Sequence, residues 1–184
     1  MFEVDDKVVY PHHGAGVVVS KEKREILGQK REYLTIEILY NEMTVQVPTE
    51  NAEAAGLRPV ITPAEVKKVL QVLKDPGTTM PKNWNRRFKH NRDKIKTGDI
   101  FELAEVVRNL SIRDQDKGLS TGEKQMFGRA KKILASELMY AQGMEEEEAT
   151  DFLDKLLDDV AQVRLDEEEN AEEDGESAKG ALAT

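Results

Sequence analysis

Cysteine is absent from this 184-residue chain, and aromatic residues make up only 5% of it. The lack of thiols excludes a disulfide framework, a cysteine-ligated zinc site and a thiol nucleophile. No apolar run approaches the ~20 residues that a helix needs to cross a bilayer. Residues 1–7 also lack the basic and apolar regions of a secretory signal. These absences predict a cytoplasmic protein with no membrane segment.

The sequence also lacks recognisable catalytic and metal-binding motifs. The sequence has neither a G-x-S-x-G elbow nor a Walker A loop. His12 and His13 are adjacent, and His90 lies far along the chain, so the histidines lack metal-ligand spacing. Residues 114–118 lack the third ligand and the distant glutamate of a calcium loop. We therefore expect no enzyme activity, no metal and no cofactor.

The charge is distributed unevenly along the chain. Residues 1–60 carry a net charge of −3, residues 61–140 carry +7, and residues 141–184 carry −13, which gives the total of −9. A basic middle followed by an acidic tail favours a polyanionic partner. Two solvated helix faces of opposite charge would give the same pattern, so charge alone leaves both interpretations open.

The hydrophobic pattern predicts two structural regions. Short alternating segments within residues 2–48 predict a small, strongly bent antiparallel sheet or barrel. Beyond residue 60 the period becomes helical, and capping residues at Thr62, Asn83, Asp99 and Ser120 mark the starts of helices. A further helix is predicted near residues 146–163, and the five helices would form a compact bundle.

The predicted organisation is a β domain at 1–60, a helical domain at 61–165 and a tail at 166–184. The tail begins at Asp166 with an acidic run that contains no large apolar residue. Such a segment cannot offset its chain entropy by burial, so we expect disorder. The overall fold class is α+β.

The densest functional signal is residues 82–96, which hold seven basic residues, one acidic residue and the only tryptophan. Basic side chains neutralise phosphates, and an exposed aromatic ring can stack on or wedge between bases. The spacing of Trp84, Phe88 and Ile95 at i, i+4 and i+11 also suits a core face, and on spacing alone burial of Trp84 is favoured.

Five blocks of sequence carry a resemblance to a known family. They are YPHHG at 10–14, VPTEN at 47–51, NWNRRF at 83–88, AEVVRNL at 104–110 and GLSTGEK at 118–124. In this order they resemble the bacterial CarD family, also called CarD/CdnL. The resemblance covers residues 1 to about 160 and leaves the acidic tail outside it.

The resemblance implies a global transcription regulator that acts without a specific operator sequence. Its N-terminal module would be a Tudor-like barrel, similar to one in transcription-repair coupling factors, that binds the RNA polymerase β subunit. Its helical domain would contact promoter DNA just upstream of the melted region and hinder collapse of the bubble. The protein would be a monomer when free and would associate with the nucleoid through polymerase.

The resemblance also implies roles for individual residues. Trp84 would insert at the minor-groove edge of the bubble, which requires an exposed ring. Arg86, Arg87 and Lys89 would contact the adjacent DNA backbone, together with Lys124 on another helix. On the barrel, Arg24 matches a polymerase-contacting arginine, and Gln46 stands where the family has a second one. Because glutamine replaces this arginine, we expect a weaker polymerase contact at Gln46.

Two other classes of function remain open at this stage. A polymerase- or ATPase-anchored interaction module without DNA contact would have Trp84 buried. A nucleoid-type DNA binder would bind DNA tightly without polymerase. The exposure of Trp84 separates the first of these from the family's function.

Overall fold

The structure is a computed structural model. It describes the backbone of residues 1–181 and the side chains of this range other than 168, 169 and 172–181. A five-stranded antiparallel sheet is followed by five α-helices, which confirms the predicted α+β class.

The sheet has the strand order β4-β3-β2-β1-β5. The strands are β1 (Lys7–Tyr10), β2 (Gly14–Ile26), β3 (Gln29–Ile38), β4 (Met43–Pro48) and β5 (Arg58–Pro59). Alternation along β3 buries Leu34, Ile36 and Ile38 completely. The paired strands β2 and β3 approach closely at Gly16, where an added Cβ would lie 2.4 Å from the Glu37 carbonyl oxygen. Only glycine permits that approach of the two backbones.

Local capping explains where the helices begin. The helices are α1 (Pro63–Lys74), α2 (Trp84–Lys96), α3 (Ile100–Lys117), α4 (Thr121–Gln142) and α5 (Glu146–Ala181). Thr62 and Ser120 form capping boxes with the glutamates three residues later, and the Asp99 side chain accepts from two amides of α3. The apolar stripes of α1, α3, α4 and α5 share one core that contains Leu73, Leu110 and Leu134.

Helix α5 extends much further than predicted. Disorder was expected from Asp166, but the backbone is helical through Ala181, and residues 182–184 lie outside the described range. Glutamate and alanine are strong helix formers, so this segment can continue a helix without burying an apolar face. The Gln162 amide also donates to Asp166, four residues on, at 2.8 Å.

A polar contact joins the sheet to the helices, and we call it the domain clasp (Ala15, Arg58, Ser136 and Glu137). The Arg58 guanidinium donates to both carboxylate oxygens of Glu137, at 2.6 and 2.9 Å. Glu137 is 1% exposed and also accepts from the Ile61 amide at 3.0 Å. The Ala15 amide donates to the Ser136 hydroxyl at 3.0 Å. Bidentate, charge-assisted bonds of this kind fix the orientation of the groups they join.

Candidate nucleic-acid interface

The start of α2 determines where Trp84 lies. The Asn83 side chain accepts a hydrogen bond from the Arg86 amide at 3.1 Å and caps the helix, so Trp84 is the first helical residue. At this position 43% of the Trp84 surface remains exposed. The burial favoured by its spacing is therefore wrong for Trp84, whereas Ile95 does pack against the helical core.

The exposed indole is held in one orientation by its neighbours. Its Nε1 donates to the Ser120 hydroxyl at 2.9 Å, and its ring stacks on Phe88 with centroids 5.1 Å apart. A Cβ on Gly122 would lie 3.4 Å from Phe88 and 3.8 Å from Trp84. The start of α4 thus lies in van der Waals range of the stacked pair. The outer edge of the indole thus faces solvent with little rotational freedom.

Arg87 lies beneath this pair rather than on the surface. Only 3% of its surface is exposed, and its Nε donates to Glu123 at 2.6 Å. Its Nη1 also donates to the carbonyl oxygens of Pro81 and Lys82. The predicted contact of Arg87 with DNA is therefore corrected. Its charge is paired with a carboxylate on α4, and its side chain joins α2 to α4.

Glu123 links the buried arginine to the exposed tryptophan. It is 1% exposed, and its second oxygen accepts from the hydroxyl and the amide of Ser120. Burial by itself would raise the pKa of Glu123, but the hydrogen bonds from Arg87 and Ser120 outweigh it and hold that pKa below its usual value. A continuous chain of hydrogen bonds therefore runs from Arg87 through Glu123 and Ser120 to the Trp84 indole.

The other predicted DNA-contacting residues are all exposed. Arg86 and Lys89 lie three residues apart on α2, and Lys124 lies in the first turn of α4, one residue after Glu123. Lys89 has an ion pair with Asp93 at 3.5 Å, but both side chains are more than half exposed. Such a pair contributes little and leaves the ammonium accessible. We call Trp84, Arg86, Lys89 and Lys124 the tryptophan face.

Arg24 and Gln46 lie together on the sheet, apart from the tryptophan face. Arg24 donates to the Gln46 side-chain oxygen at 3.2 Å and pairs with Glu22 at the same distance. All three side chains are exposed. The structure thus places the two predicted polymerase-contacting residues on one surface of the N-terminal sheet.

Sequence reasoning missed the residues that support Trp84. The capping box at Ser120 and Glu123 was visible in the sequence, but it indicated only a helix start. Its second use, as acceptor for an indole 36 residues earlier in the chain, depends on how α2 and α4 pack. Phe88 as a stacking partner could have been found from its i, i+4 spacing to Trp84.

His12 and His13 are partly buried, and the His13 ring stacks on Tyr10, whereas His90 is exposed. Burial, followed by nearby positive charge, lowers the pKa of His12 and of His13. Among the residues whose side chains the structure describes, no group of three histidine, aspartate or glutamate residues is arranged to hold a metal. Over residues 1–181, none of the helices combines the length and the apolar character needed to span a bilayer.

Comparisons with known proteins cover most of the chain. Residues 2–61 match a family model described as the CarD-like/TRCF RID domain, and residues 68–154 match one described as the CarD C-terminal domain. The chain is 37% identical over 152 residues to a Bacillus subtilis protein named "Putative transcription factor YdeB". That alignment spans 83% of this chain and 99% of the relative.

One solved structure is also similar in sequence. It is the solution structure of the 72-residue N-terminal domain of Myxococcus xanthus CarD, which is 32% identical. The match covers 32% of this chain and 79% of that domain, with a TM-score of 0.29.

Proposed function

We propose that this chain, which belongs to the CarD family of transcription regulators, binds the RNA polymerase β subunit with its N-terminal sheet and stabilises melted promoter DNA with its tryptophan face. The observation that carries the proposal is the exposed Trp84, held in place by Ser120 and Phe88, with Arg86 on the same helix and Lys124 on α4 also exposed. An apolar wedge of this kind can insert at a base step, and phosphates attract the surrounding cations.

The wedge acts through differential affinity. Inserting a ring into an intact duplex costs a few kcal/mol of unstacking, and this cost falls where melting has already broken the stack. A ligand that fits the open state better than the closed state shifts the equilibrium towards the open state. Because the Trp84 ring is already oriented, little conformational freedom is lost when it inserts.

Binding to polymerase would supply the affinity that the tryptophan face lacks. Three exposed basic residues give weak, sequence-tolerant DNA binding. Anchoring through the sheet raises the local concentration of the tryptophan face at the promoter. The family that matches residues 2–61 groups CarD-like proteins with TRCF, which supports a partner in the transcription machinery.

Arg24→Glu should weaken binding to the β subunit, because it reverses the charge on the proposed polymerase surface. Arg24 is exposed and lies near the C-terminal end of β2, so the substitution should hardly affect folding. Binding of full-length protein to the isolated β subunit measures the effect. Lys23→Glu is a matched control on the opposite face of the same strand. Equal binding by Arg24→Glu and the native protein would contradict the role of Arg24.

DNA binding by the free protein should follow the salt dependence of a few phosphate contacts. Log affinity against log salt should have a slope of roughly −3, at about 0.9 for each of three neutralised phosphates. Arg86→Ala and Lys124→Ala should each make the slope shallower by about 0.9, to the same extent on unrelated sequences. Lys67→Ala, an exposed lysine on α1, serves as control. A strong preference for one sequence would indicate base readout and contradict the proposal.

Promoter opening by purified polymerase, with and without this protein, tests the function as a whole. We expect a longer-lived open complex when the protein is present. Tight binding to DNA with no effect on the polymerase complex would instead indicate a nucleoid-type binder. Polymerase binding without any effect on promoter DNA would indicate an interaction module, although the exposed Trp84 disfavours that class.

A further inference from the structure

A cavity of about 250 Å³ lies between the segment that joins α1 to α2 and the end of α3. We call it the linker cavity, and its walls include residues 77–78 and 80–82 together with Asn109 and Arg113. The Thr78 amide donates to Asn109 at 3.2 Å, and the Asn109 amide donates to the Thr78 hydroxyl at 2.8 Å. These reciprocal bonds fix the linker against α3, so the cavity has a defined shape.

The lining of the linker cavity has a net positive charge, although the charge of Arg87 is paired with the Glu123 carboxylate. Asp116 is the one acidic residue among those that line the cavity. The basic lining residues are four: Lys82, Arg87, Arg113 and Lys117. Behind the wall lies Arg108, which is 3% exposed and donates to the Val72 carbonyl, Thr78 and Asn109. None of these three acceptors carries a charge, so Arg108 adds positive potential to the cavity.

Arg113 has a buried donor atom without a hydrogen-bond acceptor in the described part of the chain, although its charge lies near the Glu123 carboxylate. Its Nε is buried and makes no hydrogen bond to the described residues. The Glu123 oxygen nearest to this Nε lies 3.9 Å away and already accepts from Arg87 at 2.6 Å. A buried donor left without an acceptor costs free energy and commonly marks the place of an ion or water. About a quarter of the Arg113 side chain remains exposed at the cavity.

We propose that the linker cavity binds a phosphate-bearing anion. Guanidinium forks match the oxygens of phosphate, and Lys82 and Lys117 add point charges at the edge of the cavity. The anion could be a free phosphorylated metabolite or a backbone phosphate of DNA, because Lys82 also lies two residues before Trp84. The lining of this cavity includes neither Arg24 nor Gln46 of the sheet, whereas its Arg87 is linked through Glu123 and Ser120 to Trp84.

Inorganic pyrophosphate is a suitable probe for the full-length chain. Trp84 is the single tryptophan and is linked by hydrogen bonds through Ser120 and Glu123 to Arg87 of the cavity lining, so its fluorescence can report occupancy at constant ionic strength, with calorimetry as a second measurement. We expect a saturable response with one site. Arg113→Gln and Lys117→Gln should each weaken binding about tenfold, the effect of losing one charge-assisted contact. Arg92→Gln, an exposed cation of α2 outside the cavity, should leave it unchanged.

A DNA arm of the experiment identifies the source of the phosphate. If DNA supplies it, pyrophosphate should displace a short duplex and Arg113→Gln should weaken duplex binding. If the ligand is a free anion, duplex affinity should be the same in Arg113→Gln and the native protein. The proposal is overturned if pyrophosphate gives no saturable response, or if sodium sulfate at equal ionic strength gives the same one. Lys117 is exposed, so Lys117→Gln decides the matter should Arg113→Gln fail to fold.

Discussion

Replacing Trp84 with alanine should shorten the lifetime of the open promoter complex about tenfold while the protein still folds and still binds polymerase. Removing an aromatic ring that stacks on a base costs about 1–3 kcal/mol, and 1.4 kcal/mol corresponds to a factor of ten. The ring is 43% exposed, so its loss should destabilise the fold by much less than the ~3–5 kcal/mol of a fully buried aromatic. Polymerase binding should persist because the proposed surface lies on the sheet.

Two further variants sharpen the test of Trp84. Trp84→Phe should keep part of the effect, since a smaller ring fills part of the gap but cannot donate to Ser120. Val163→Ala removes another exposed apolar side chain, on α5, and should change neither lifetime nor melting. Thermal melting and complex lifetime are measured on the same preparations. A large fall in melting temperature for Trp84→Ala would show a structural role and exclude the wedge.

Arg87→Ala should destabilise the protein by about 3–5 kcal/mol, the largest effect on stability that we expect. Removing one partner of a buried ion pair leaves the other charge buried without compensation. In this variant Ser120 still donates to Glu123, and Arg113 lies 3.9 Å from the Glu123 carboxylate. The loss of folding free energy should therefore fall near the lower end of that range. Denaturant unfolding measures it. Arg87→Met combined with Glu123→Gln should recover part of the stability, because neither partner then carries an unpaired charge.

The same pair should make stability depend on pH in a predictable direction. The pKa of Glu123 is lower in the folded state than in an unfolded chain. The contribution of Glu123 to the free energy of unfolding is therefore fully present above the pKa that a glutamate has in an unfolded chain, near 4.3. It is lost as the pH falls through the lower pKa of the folded state. Acid should destabilise the native protein more steeply than the Arg87→Met, Glu123→Gln double variant. Parallel profiles below pH 5 would show that Glu123 does not control this dependence.

Much of the fold was predictable because its signals are local. Thr62, Asp99 and Ser120 each cap a helix using amides within three residues, so a short window of sequence contains the whole interaction. Alternation along β3 likewise identified its buried face. The end of α5 was mispredicted because an acidic segment can be helical by propensity alone, whereas the argument for disorder considered only burial.

The candidate site was harder to predict because its key contacts are distant in sequence. Arg87 appeared to be one more basic residue in a basic stretch, and its burial depends on Glu123 at a separation of 36 residues. Trp84 has a spacing that suits a core, yet the cap at Asn83 places it at the end of the helix, where the core no longer covers it. The sequence resemblance, rather than periodicity, indicated an exposed ring.

The domain clasp has a consequence for where on DNA this protein can act. Arg58 and Glu137 join the sheet to α4 through paired bonds, so no flexible tether separates Arg24 from Trp84. A flexible tether would let the indole sample many base steps around its anchor. A rigid connection instead holds the indole at one distance from the proposed polymerase surface. In the proposed complex, the base step that meets Trp84 is thus selected by its position relative to the enzyme, whatever its sequence.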